Sequence, residues 1–134
     1  MLTNYLNQNN ACYGDFPAHD RLWESAAKTS DDILSRLAIV PLVLEARGLD
    51  TTPGAIKKLS TTSDTKAARI LKITGEEEIF HVATGVLWFH HICKCRELKP
   101  ASTFQLLVKS QLNGFLKLPL ATNARTLAGF PRFH

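Results

Sequence analysis

An all-α fold is what this sequence predicts, and three observations predict it. Apolar residues recur at helical spacing through residues 33–44 and again through 71–89. Capping residues and stop signals bracket those runs. No stretch alternates apolar and polar residues as a half-buried strand does. The chain has 134 residues, enough for one domain with a real core. Residues 1–134 are therefore read as a single helical domain.

The first 29 residues are expected to be loosely structured. Asn4, Asn7, Asn9 and Asn10 are poor helix formers, and Tyr13-Gly14-Asp15-Phe16-Pro17 has turn composition. A short helix over 20–27, anchored by Trp23, is the exception. A longer helix is expected from Ser30 to about Arg47. Ser30 suits the N-cap, Asp31 and Asp32 suit the positive end of the helix dipole, and Gly48 suits the stop. Pro41 lies inside it and predicts a kink. Thr52-Pro53 then reads as the N-cap and first residue of a second short helix carrying Ile56 and Leu59.

Ser63 or Asp64 caps a long helix reaching about Arg96. Its inner stripe is expected to be Leu71, Thr74, Glu78, His81, Gly85, Trp88 and Phe89. Phe80, Trp88 and Phe89 are read as core. Gly75 and Gly85 each cost a helix about 1 kcal/mol against alanine, which predicts close approach of a neighbouring helix at both. A last helix is expected from Pro100 to Asn113, with Phe104, Leu107 and Val108 as its apolar face and Gly114 as its stop. The tail from 115 to 134 holds Pro119, Gly129 and Pro131 and reads as mostly irregular.

Composition narrows the function classes. At 45% hydrophobic and 21% charged residues the chain has a globular composition. The formal net charge of +4 is spread out, with no basic run longer than Lys57-Lys58, so charge does not point to nucleic acid. No apolar stretch reaches the roughly 20 residues of a membrane span, and the N-terminus lacks the pattern of a signal peptide. Cys12, Cys93 and Cys95 show no disulfide-framework spacing, which suggests a reduced, cytoplasmic protein.

The residues that could carry chemistry are Glu45, Glu78 and His81. A helix advances about 100° per residue, so Glu78 and His81, three apart, share a face. Glu45 stands where the pattern of the helix before asks for an apolar residue, and a buried carboxylate needs a partner or a metal. A carboxylate on one helix and Glu-x-x-His on its neighbour make half the ligand set of a di-metal helical bundle, with iron or manganese as the fitting metals. An ordinary helix-surface Glu–His pair accounts for Glu78 and His81 as well. The segment His90-His91-Ile92-Cys93-Lys94-Cys95 contains ligand-type residues. On a helix, though, Cys93 and Cys95 point apart, so its four ligands cannot converge. The chain has no nucleophilic triad spacing and no glycine-rich phosphate loop.

Four blocks in order also resemble a known family. They are Tyr13-Gly14-Asp15-Phe16-Pro17; Glu45-Ala46-Arg47-Gly48-Leu49-Asp50 with Thr52-Pro53; Glu78-Ile79-Phe80-His81-Val82 with Gly85, Trp88 and Phe89; and Asn123-Ala124-Arg125 with Ala128-Gly129-Phe130. Together they resemble the C-terminal half of an uncharacterised bacterial ferritin-like family, domain of unknown function 455. The resemblance implies a ferritin-like bundle of which this chain supplies half. It implies metal ligation by Glu45, Glu78 and His81, and oxidoreductase chemistry at iron or manganese. It also implies completion by another chain, either a second copy in a homodimer or a separate N-terminal-half polypeptide. Glu77 departs from the Asp that the resemblance leads one to expect before the ligand Glu, with charge retained. The competing readings are a truncated, non-catalytic helical interaction module and an RNA-modifying or RNA-binding protein, the latter supported by the mild positive charge alone.

Overall fold

The computed structural model describes residues 1–112 and 120–130, and all its regular elements are helical. Helix α1 spans Leu2–Gln8 and α2 spans Arg21–Lys28. Helix α3, Ile33–Ile39, runs into a π-helical segment, Val40–Glu45, and on into α4, Ala46–Thr61. Helix α5, Thr65–Cys95, is the spine of the molecule, followed by α6, Pro100–Leu112, and α7, Thr122–Leu127.

The N-terminal segment is more ordered than its asparagines suggest. Helix α1 buries none of its residues. It is held from outside by Tyr5, whose hydroxyl donates to Asp64, and by Lys66, which donates to Gln8. Trp23 does not anchor α2, because it is 77% exposed. The anchor is Thr29, buried just after the helix. Its hydroxyl donates to the Ser25 carbonyl at 2.8 Å and accepts from Arg36 Nε at 3.0 Å.

Helix α3 is capped by Asp32 rather than Ser30. The Asp32 carboxylate accepts from the Ser35 N–H at 2.9 Å and from the Ser35 hydroxyl at 2.7 Å. These bonds from Ser35 hold its pKa below the usual range, against a smaller opposing effect of burial. The kink expected at Pro41 takes the form of the π segment. Proline has no N–H to give the preceding turn, and a wider turn accommodates the gap. That turn keeps Leu34, Ala38, Leu42 and Ala46 on one buried face at four-residue intervals.

Two expected boundaries are absent. Gly48 does not stop the helix, and Thr52-Pro53 does not start a new one; α4 runs through both. Pro53 is exposed, so its ring meets water. Burial of Ala46 and Leu49 before it, and packing of Thr52 on α5, hold α4 together across the lost bond.

Asp64 caps α5 by accepting from the Ala67 N–H at 3.0 Å. The close approaches predicted at the α5 glycines are present. A Cβ at Gly75 would lie 2.9 Å from Thr52 Cγ2, and one at Gly85 would lie 2.5 Å from Pro41 Cβ. The buried stripe of α5, however, is rotated from the expected one. Val82, Gly85, Val86, Phe89 and Cys93 face the core, whereas Phe80 and Trp88 are exposed. The run 79–89 is apolar nearly all round, so its spacing alone does not select a face.

The core joins Leu34, Ala38, Leu42, Ala46 and Leu49 to Val82, Val86, Phe89 and Cys93, and is closed by Ala128 and Phe130. Phe104 of α6 meets Phe89 edge-on, with centroids 6.1 Å apart. The tail thus contributes both a helix and core residues where irregular chain was expected. The expected stop at Gly114 lies outside the described residues.

Candidate functional site

Glu45 ends the π segment and is half-buried. Glu78 and His81 lie on α5, with Glu78 Oε2 3.4 Å from His81 Nδ1. The stem of Glu78 rests against α4: a Cβ on Gly48 would sit 3.8 Å from Glu78 Cγ. Gly48 is one turn beyond Glu45, so the α4–α5 contact carries Glu78 past the end of the π segment.

Burial pushes the Glu45 carboxyl up, the negative charge of Glu78 adds to this, and His81 opposes it. The three groups therefore share one electrostatic neighbourhood. A raised folded pKa favours the protonated form. Its contribution to stability is present below the ordinary glutamate range and is lost as pH rises through the folded value. In metal-free buffer with chelator, Glu45→Gln is expected to flatten that loss and to be the more stable protein at pH 7. Urea unfolding of both proteins from pH 4 to pH 7 checks this; equal pH dependence contradicts it.

Two carboxylates and an imidazole suit iron or manganese in donor type. The convergence falls short within this chain. Among the described residues, no group of three or more His, Cys, Asp or Glu side chains is placed to hold a metal ion. The His81 side chain is 63% exposed and turns toward solvent, while that of Glu78 is 25% exposed and lies against α4. Farther along α5, Cys95 Sγ lies 3.7 Å from His91 Nε2, and Cys93 is buried in the core. The two thiols point apart, as their spacing requires.

A second polar centre lies about a turn and a half beyond Glu45. Asp50 and Arg125 form a buried two-pronged ion pair, with Nε to Oδ1 at 2.9 Å and Nη2 to Oδ2 at 2.8 Å. The Ala121 N–H also donates to Oδ1, at 2.9 Å, and Arg47 Nη1 approaches Oδ2 at 3.4 Å. The Arg125 guanidinium sits 5.2 Å from the centre of the Phe130 ring. Burial raises the Asp50 carboxyl, but the Arg125 and Ala121 hydrogen bonds and the guanidinium charge outweigh it and hold the pKa below the usual range. Sequence reasoning missed this pair. Its partners are 75 residues apart, and no spacing rule links them. The one signal was a charged residue at each of two positions that proved to be core.

The comparisons bear out the family that the four sequence blocks resemble. The family described as protein of unknown function (DUF455) matches residues 1–133. The chain belongs to this family. An uncharacterised protein of Haemophilus influenzae is 44% identical to it over 130 residues, covering 97% of this chain and 45% of that protein. The chain thus spans less than half the length of this relative. No solved structure matches the chain. Among the described residues, no helix is long and apolar enough to cross a membrane.

Proposed function

We propose that Glu45, Glu78 and His81 form half of a ferritin-like di-metal carboxylate site for iron or manganese, completed by a second polypeptide. The observation that carries this reading is the seating of Glu78 on α4 beside the half-buried Glu45, with His81 in contact with Glu78. Burying a carboxylate next to another is unfavourable unless a cation offsets it. Glu45 and Glu78 would hold the cation's charge, and His81 would bind it through one ring nitrogen. A complete site of this type takes a carboxylate from each of two helices and Glu-x-x-His from each of two others, and this chain provides one of each. When bound, such metals activate dioxygen or substrate, which is the basis for an oxidoreductase role.

The test is elemental analysis of the chain with its completing partner, purified without chelator or His-tag. Iron or manganese at about two equivalents per completed site is expected. Glu78→Ala and His81→Ala are each expected to abolish it while leaving far-UV helicity unchanged. Metal content that is absent in the parent complex, or unchanged in both variants, rules the reading out. A second reading, a non-catalytic interaction module, draws support from the exposed apolar face of α5.

A further inference from the structure

Helix α5 turns one face to the core and leaves the other uncovered. Phe80, Leu87 and Trp88 are 73%, 65% and 50% exposed. Phe80, Thr84, Leu87 and His91 follow one another at helical intervals of three and four, so they form one stripe. Trp88 stands seven residues from His81, two turns along and nearly in line with it. Beyond Trp88 the stripe opens into a groove of about 660 Å³, lined by Leu87, Trp88, His90, His91, Lys94 and Leu98 among others. Isolated exposed apolar residues need no explanation, but three large ones along one helix face mark a contact surface.

We propose that this face docks a helical polypeptide equivalent to the part of the Haemophilus influenzae relative that lies outside the match. That relative is 44% identical over nearly the whole of this chain, and the matched stretch is only 45% of its length. A domain so similar carries there a covalently attached segment longer than itself. The chemistry of the face specifies the occupant further. It would present an apolar stripe to Phe80, Leu87 and Trp88, a carboxylate to Lys94, and hydrogen-bonding groups to His90 and His91. The inference rests on the reading that a second polypeptide completes the half-site, since anything packed on Trp88 runs past His81.

The test is co-expression of this chain with that unmatched segment, followed by co-purification and oxidative footprinting. A fused protein, with this chain in place of the relative's matched region, covers the event that the free segment does not fold. The expected result is a one-to-one complex, or a folded fusion, in which Phe80, Leu87 and Trp88 lose labelling while Tyr13 does not. Leu87→Glu with Trp88→Glu, both exposed in the isolated chain, is expected to reduce retained partner about tenfold or more. Unchanged labelling in both formats overturns the proposal. So does a dimer of this chain alone that protects the same residues, because the occupant is then a second copy. Metal content read on the same samples separates the two ideas. Protection without metal defeats the half-site and leaves the docking surface standing. Protection that survives Glu78→Ala and His81→Ala while metal is lost supports both.

Discussion

Asp50→Ala is expected to cost about 3–5 kcal/mol of folding stability, a large share of the roughly 5–15 kcal/mol that holds a domain together. The substitution removes the carboxylate but leaves the Arg125 guanidinium, a residue 3% exposed, inside the protein without its counter-charge. One of its nitrogens, Nη1, already has no hydrogen-bond partner among the described residues, so little remains to absorb the loss. The Ala121 N–H is stranded as well. Urea unfolding at pH 7 measures the effect, and a loss under about 1 kcal/mol would show the pair to be no stronger than a surface contact. The double variant Asp50→Leu/Arg125→Met is expected to recover part of the loss, because an apolar replacement leaves no buried charge. The pH dependence gives a second reading. A carboxyl held below its usual range contributes stability that is present above the ordinary carboxylate pKa and is lost as pH falls through the folded value. The parent is therefore expected to lose more stability on acidification than Asp50→Ala.

Gly85→Ala is expected to destabilise the chain by about 1–3 kcal/mol, although helix propensity alone predicts a gain of about 1 kcal/mol. The new methyl would lie 2.5 Å from Pro41 Cβ, 2.7 Å from Pro41 Cγ and 3.1 Å from Leu42 Cδ1. The proline ring cannot rotate away, so α5 and the π segment must separate. Gly54, also inside a helix, has nothing within 4 Å of the corresponding position. There Gly54→Ala is expected to stabilise by up to about 1 kcal/mol. Thermal unfolding of the two variants beside the parent decides the matter, and a higher midpoint for Gly85→Ala would refute the packing argument.

What could be read from the residues were features set by local chemistry. A cap at Ser63 or Asp64, which proved to be Asp64, and Pro100 as a helix start follow from rules that act within a turn or two, and the close approaches at Gly75 and Gly85 follow from the cost of glycine inside a helix. The continuity of α4 through Gly48 and Pro53 did not follow, because packing on α5 overrides the local signals of both residues. The face of α5 was misjudged at Trp88 because an apolar run such as 79–89 fits several rotations, and the helices beside it choose one. For the site, the share of one face by Glu78 and His81 was legible in their spacing. The exposure of His81 was not, since it depends on that same rotation. Arg125 was invisible as a core residue because its reason for burial, Asp50, belongs to a distant part of the chain.

The Asp50–Arg125 clasp also bears on the order in which the protein can be assembled. A polypeptide is made from its N-terminus, so Asp50 and both of the long helices exist before residue 125 does. Until then, seating α4 fully against its neighbours would bury the Asp50 carboxylate with its 3.4 Å contact from Arg47 but without the two-pronged Arg125 pair, an incomplete pairing that the low-polarity interior penalises. Residues 121–130 bring Arg125 to Asp50, and Ala128 and Phe130 from the same stretch close over the core. Substitutions at Arg125, Ala128 or Phe130 therefore act on the centre of the molecule rather than on its edge.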